Sequence, residues 1–379
     1  MRLKFMKTTR ILIFIVLACL MVALCPQLPT AVELPFAGDA IRVAIVKSTD
    51  TVTLVGDGLL ALRDNGAAVA LQSPETIRFG GKGQLLLDGT PYRSLRVSGA
   101  GPIRVNGKSY RGILELTAGN GGLLVVNELP LEQYLVGLIN SEISSTWPME
   151  SVKAQAVIAR TYAVAKRDER RKAAYHLEAT VMDQAYDGSD SEDSRAARGV
   201  METAGQVLTY HGTVIQAFYH ATCGGKTEDS SHVWGYSLPY LKGVECEYCA
   251  AGNSNVWEQN LPLARIESLL KLQGLYDIKA GPRNSRGRLK TVLLGTSRGT
   301  VSMPATKFRM TIGSTVIKST NFTVRVADGV ASFNGGGYGH GVGLCQWGAK
   351  QRALDGFTYN EILSYYYPGT ELRTLGELR

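Results

Sequence analysis

The chain has 379 residues, 45% of them hydrophobic and 20% charged, with a formal net charge of +8. That length allows two domains, or one large domain with an accessory unit, and the apolar content is enough for a sizeable core. No long segment is biased enough in composition to be disordered, and no basic stripe carries interleaved aromatics, so nucleic-acid binding has no support.

Arg2, Lys4, Lys7 and Arg10 precede an apolar run from Ile11 to Leu24, the charged and apolar halves of an export signal. The run is short of the ~20 residues that span a membrane, and Pro29-Thr30-Ala31 is a poor cleavage site. Residues 1–31 are therefore expected to be a signal peptide or an N-terminal anchor, with residues 11–28 as the membrane-contacting stretch. The protein is expected to be exported to the periplasm or cell envelope. Cys19 follows Val16-Leu17-Ala18 in a loosely lipoprotein-like way, but apolar residues continue after it. Without residues 1–10 the formal charge falls from +8 to +4. Such a mildly basic surface suits an anionic polymer outside the cytoplasm, or is simply a solvated surface.

From about Ala40 to Val125 short alternating stretches such as Ile41–Ile45 are separated by turn signals at Gly56-Asp57-Gly58, Asp64-Asn65-Gly66, Asp88-Gly89 and Asn106-Gly107. This predicts a β-rich accessory domain over residues 40–126 and a second domain over 127–379. At Pro130, which suits a first helical turn, the pattern changes to helix. Leu131, Tyr134, Leu135, Leu138 and Ile139 form one stripe, and its next position is Glu142. A carboxylate continuing an apolar face is pushed toward its neutral form by burial, and a carboxylic acid protonated near neutral pH can serve as a general acid. The alternative is that the helix ends there and Glu142 turns into solvent. A second helix opens near Pro148, with Val152, Ala156, Ala159 and Ala163 on one side, small enough to let the Glu142 helix approach.

Val207–Tyr210 and Val214–Phe218 flank His211-Gly212 and predict a hairpin. A variable α/β stretch continues to about Val330. A helix is expected from Leu344 to Leu354, and Thr358-Tyr359-Asn360-Glu361 has capping-box spacing before a last helix that stops at Pro368-Gly369.

His220-x-x-Cys223 and Cys246-x-x-Cys249 stand 22 residues apart. One imidazole and three thiolates at this spacing make a closed tetrahedral zinc site, structural because no position is left for water. Disulfides are the alternative, since Cys223, Cys246, Cys249 and Cys345 make an even number for an oxidising compartment. The glycine loop Asn334–Gly348 lacks the spacing of a dinucleotide fingerprint. Its glycines would let a ligand or another backbone come close to His340, with Tyr338 and Trp347 offering flat faces to sugars. A tightly packed turn with His340 bonded to backbone is the other reading. No nucleophile elbow is present, and a Cys345 thiol acting with His340 is conceivable only on sequence proximity.

Together these segments resemble the stage II sporulation protein D and amidase-enhancer family of bacterial cell-wall proteins. The residues that carry the resemblance are Asn127–Gly137, Ser141-Glu142, Trp147–Tyr162, His220–Glu228, Gly337–Ala349 and Tyr365–Gly369, in that order over roughly residues 40–379. The resemblance implies an α+β fold, mainly antiparallel β with a few helices around a catalytic cleft, preceded by the small all-β unit. It implies a lytic transglycosylase of peptidoglycan glycan strands, preferably stripped of stem peptides, with Glu142 as the acid/base that yields 1,6-anhydro-N-acetylmuramic acid. Such a reaction needs no second carboxylate, in contrast to the glycosidase pair; Asp187, Glu228 and Asp229 are where one would be sought. Arg160 and Lys226 are the expected partners of exposed lactyl carboxylates, and Tyr338, His340, Gln346 and Trp347 the expected sugar contacts. The enhancer branch implies the other outcome, a non-catalytic glycan-binding protein that stimulates a cell-wall amidase. Membrane contact is expected only through the N-terminal segment.

Overall fold

The computed structural model describes residues 39–119, 121–247 and 256–378. The expected signal or anchor segment, residues 1–31, and Cys249 lie outside these residues. The fold is α+β, with mainly antiparallel sheets and, among the described residues, eight α-helices: α1 (Leu131–Glu142), α2 (Met149–Glu169), α3 (Ser194–Met201), α4 (Ser230–Trp234), α5 (Leu263–Leu270), α6 (Ala305–Ile312), α7 (Gln346–Leu354) and α8 (Tyr359–Tyr366).

Two sheets build the β-rich part. In the larger, Ala40–Thr49 pairs with Gly122–Pro130 and places Val43 opposite Asn127; Ile113–Gly119 and Ser94–Ser98 extend the sheet. The short strand Leu177–Glu178 joins the edge in parallel. The smaller sheet is centred on Thr51–Val55 and Glu75–Gly81. Alternation decides what is buried: Ile41 and Val43 point inward, as do Val52 and Leu54. The core they make continues without a break into Tyr134, Leu138 and Ile139 of α1 and Val152, Ala156, Ala159 and Ala163 of α2.

Helix α2 is buried on both sides, which explains its run of small residues. Its alanine face meets this first core, whereas Ala154, Val157 and Ile158 meet a second core holding Cys223, Cys246, Cys345, Leu363 and Tyr367. A third core, around Phe308, Phe322 and Phe333, is made by α5, α6 and two three-stranded sheets within residues 256–336. The predicted hairpin forms between Gln206–Tyr210 and Thr213–Val214, with both His211 and Gly212 at positive φ. The Thr358–Glu361 capping box closes as expected. Among the described residues no helix is long and apolar enough to cross a membrane.

Candidate active site

The apolar stripe of α1 is fully used: Leu131, Tyr134, Leu135, Leu138 and Ile139 are all buried. Glu142, next on the stripe, ends the helix. The chain after it is held by Asn140, which accepts from the Ser145 N–H (2.8 Å) and donates to Asp193 (2.8 Å). The Glu142 carboxyl thus enters a cleft of about 880 Å³ instead of bulk solvent. Oε1 accepts from the Ala185 backbone N–H at 2.7 Å, Oε2 lies 3.5 Å from Gln346 Nε2, and the Tyr219 hydroxyl also bonds the carboxyl. Burial pushes the carboxyl up to about 7, and the three hydrogen bonds pull it only part of the way back. At neutral pH it can therefore both donate and accept a proton.

Among the described residues the other carboxylate lining the cleft is Asp183. It is tied up: it accepts from the Tyr162 hydroxyl (3.0 Å), the Glu178 N–H (2.9 Å) and Arg170 (2.9 Å). Asp187 pairs with Lys108, Asp229 caps α4, and Glu228 is buried against His232 and Asn284, and none of the three lines the cleft. Aromatic faces are available from Trp234, which packs on Phe218 (4.3 Å) and stacks with Tyr236 (6.1 Å), and from Tyr338.

The expected sugar contacts divide. Tyr338, His340 and Gln346 line the cleft. Gln346, largely buried, reaches toward both Glu142 and Gln155 (3.4 Å), so it positions the acid. His340 is spent on backbone: Nδ1 accepts from the Val342 N–H at 3.0 Å, and the ring also bonds the Tyr219 backbone. Burial, then Arg309 and Arg288, lower its pKa to about 3, so it stays neutral. Trp347 is outside the cleft lining, against Trp147 (5.2 Å) and beneath Lys350 (4.5 Å).

Neither expected carboxylate partner lines the cleft. Arg160 is fully buried away from the cleft, forked onto Glu132 (2.8 and 2.6 Å) and donating to the Gln206 and Val200 carbonyls. A guanidinium on the inward side of a helix between two cores can reach only protein groups. Lys226 is exposed beside Glu245 (3.4 Å) and also lies outside the cleft lining.

The glycine loop accommodates the protein itself. It pairs in parallel with residues 219–220, placing Tyr219 beside Leu344 and His220 beside Cys345. At Gly343 (φ +73°) a Cβ would meet the Phe218 carbonyl oxygen at 1.9 Å, so only glycine permits this pairing.

That pairing also builds a group the sequence did not assemble. The ligand atoms of His220, Cys223 and Cys345 are buried and lie within 4.8 Å of one another. Of the expected metal set, His220 and Cys223 are together, and Cys345 joins them from the far end of the chain. Cys246 Sγ sits 3.1 Å from the Tyr366 hydroxyl, whose pKa is raised by burial and by Cys345, Cys246 and Cys223. No disulfide joins Cys223, Cys246 and Cys345 to one another. Cys345 is buried at the N-cap of α7 and does not line the cleft.

Tyr219, Ala185, Trp234 and Arg309 were not singled out from sequence. Tyr219 directly precedes His220 of the expected metal set in the chain, whereas nothing beside Ala185 or Arg309 in the sequence marks them.

These features define an α+β protein with one raised-pKa carboxyl in an open cleft. The family model described as "Stage II sporulation protein" matches residues 119–210, the stretch that holds Glu142 and all of α1, α2 and α3. An uncharacterised protein of Brachyspira hyodysenteriae is 34% identical over 273 residues, 71% of this chain and 73% of that protein. The amidase enhancer of Bacillus subtilis is 32% identical over 63% of this chain, a match that takes in 40% of that protein. Stage II sporulation protein D of Bacillus subtilis is 26% identical over 65% of this chain and 75% of its own length. The chain belongs to the stage II sporulation protein D family.

Proposed function

We propose that this protein is a lytic transglycosylase of the cell envelope that cleaves peptide-stripped peptidoglycan strands, with Glu142 as general acid and base. The observation that carries the reading is Glu142 at about 7 in a cleft whose other described carboxylate, Asp183, is fully engaged. A hydrolase of the two-carboxylate type needs a second group to activate water or attack carbon. A sugar that supplies its own 6-hydroxyl does not. Glu142 gives its proton to the glycosidic oxygen as the bond from C1 breaks. The 6-hydroxyl oxygen then bonds C1 while its proton passes to the Glu142 carboxylate. The enzyme returns to its starting state, no water is consumed, and one fragment ends in 1,6-anhydro-N-acetylmuramic acid. Trp234, Tyr236 and Tyr338 offer ring faces to the sugars.

His220, Cys223 and Cys345, whose ligand atoms lie within 4.8 Å of one another, fit three positions of a structural zinc ion; Cys246, which bonds the same Tyr366 hydroxyl that Cys223 and Cys345 act on, is the candidate for the fourth. Bound there, zinc would cross-link the strand that carries Tyr219 to the strand that leads into Gln346, the two residues that reach Glu142, and it would take no part in the proton transfers.

The likeness to a protein named amidase enhancer favours a second reading, in which the cleft holds glycan and the chain stimulates a separate cell-wall amidase. Incubating stripped strands with the full chain, and with Glu142→Gln beside it, separates the two. Anhydro-ended fragments by mass spectrometry from the native chain alone support the lyase. Intact strands from both, with amidase stimulation unaffected by Glu142→Gln, support the enhancer.

A further inference from the structure

Among the described residues four cationic side chains other than histidine line the cleft: Lys166, Arg170, Lys307 and Arg309. The protein neutralises two of them, Lys166 through Glu169 (2.8 Å) and Arg170 through Asp183 (2.9 Å). The other two come from α6, and among the described residues neither has an acidic partner. Arg309 is held in place but not satisfied. Its Nη2 donates to the Ser314 carbonyl at 3.3 Å, Nη1 rests on Met310 Sδ at 3.7 Å, and the buried Nε has no hydrogen-bond partner. The charged neighbour acting on it is another cation, Arg288. Burial and Arg288 together lower its pKa to about 10, so it remains charged at neutral pH but in an unfavourable setting. A guanidinium partly removed from water without a counter-ion is costly, and an incoming anion relieves the cost.

We infer that Arg309, assisted by Lys307, is the specificity-determining residue of the cleft, reading the free lactyl carboxylates of stripped glycan strands. This rests on the glycan reading proposed above. A planar carboxylate matches the fork of a guanidinium, whereas the amide that a stem peptide makes of the same group has lost the charge and one acceptor oxygen. The discrimination attributed to Arg160 and Lys226 from sequence therefore falls to a residue from the third core. The Glu142 carboxyl, neutral for half its time near pH 7, does not repel the ligand as a fixed anion would.

The test measures equilibrium binding by the full Glu142→Gln chain, which does not turn substrate over. One ligand is stripped strands; the other is the same strands with every lactyl carboxyl coupled to methylamine. The free acid should bind at least about tenfold more tightly, the range of a charge-assisted hydrogen bond. Adding Arg309→Gln should bring the ratio close to one by weakening the free-acid strands alone, Arg309→Lys should retain part of it, and Lys307→Gln should reduce it less. A ratio near one before any change at Arg309, or a tenfold ratio that survives Arg309→Gln, overturns the inference while leaving glycan binding intact. Failure of both strands to bind removes the glycan reading and this inference with it. The first comparison needs no change at Arg309, so the test stands even if that variant folds poorly.

Discussion

Replacing Glu142 by glutamine should abolish glycan cleavage and, at alkaline pH, make the protein more stable. The side chain keeps its shape and can still accept from the Ala185 N–H, but it can no longer ionise. In the native chain the folded-state pKa is raised from 4.5 to about 7 by burial. Between those values the folded state holds the proton more tightly than the unfolded chain, so stability falls as pH rises through this window and reaches its floor above pH 7. The substituted glutamine has no such dependence. The stability of the variant minus that of the native chain should therefore grow by up to about 2.5 kcal/mol from pH 5 to pH 8.5. The difference between two chains cancels every other titrating group. Urea unfolding at the two pH values reads it directly, and a difference that stays constant within about 0.5 kcal/mol would refute the raised pKa, whatever happens to activity. In the same frame, native kcat/KM should lose its acid form above pH 7, about tenfold per pH unit.

Tyr219→Phe removes a hydrogen bond that favours ionised Glu142, so the alkaline limb of the pH–rate profile should move upward; a downward move would contradict the assignment. Arg160→Ala should cost at least about 3 kcal/mol in denaturant unfolding, because it empties a fully buried site and strands Glu132. Gly343→Ala, with its Cβ driven into the Phe218 carbonyl, should destabilise by roughly 3 kcal/mol or prevent soluble folding, measured by thermal melting. Metal analysis should find about one zinc per chain, and a strong chelator should lower the melting temperature by about 5 °C or more; unchanged melting of zinc-free protein would remove the cross-linking role.

Periodicity reads local burial, and so the α1 stripe pointed to Glu142, the alanine face of α2 was assigned correctly, and the Thr358–Glu361 cap formed as written. Short motifs were legible too: His220 and Cys223 are together because three residues on a tight turn cannot separate far. Pairing at long range was not legible. Cys345 reaches His220 only through a parallel two-residue pairing across more than a hundred residues, which no spacing rule encodes. Arg160 misled because its chemistry suited a carboxylate but its place on α2 did not: a helix clad on both faces gives an arginine no route to solvent.

The sequence by itself marked the first two and last two helices, the family and the Glu142 position, because helical spacing, capping chemistry and motif order are properties of neighbours along the chain. Tertiary structure alone decided the value of that acid and the company it keeps. Burial raises the Glu142 carboxyl, and the Ala185 N–H, Tyr219 and Gln346 that hold it come from three separate stretches. The cationic side of the cleft is likewise a product of packing: Arg309 lines it because α6 docks on a third core, and the strength of a charge depends on the water and counter-ions that packing leaves around it.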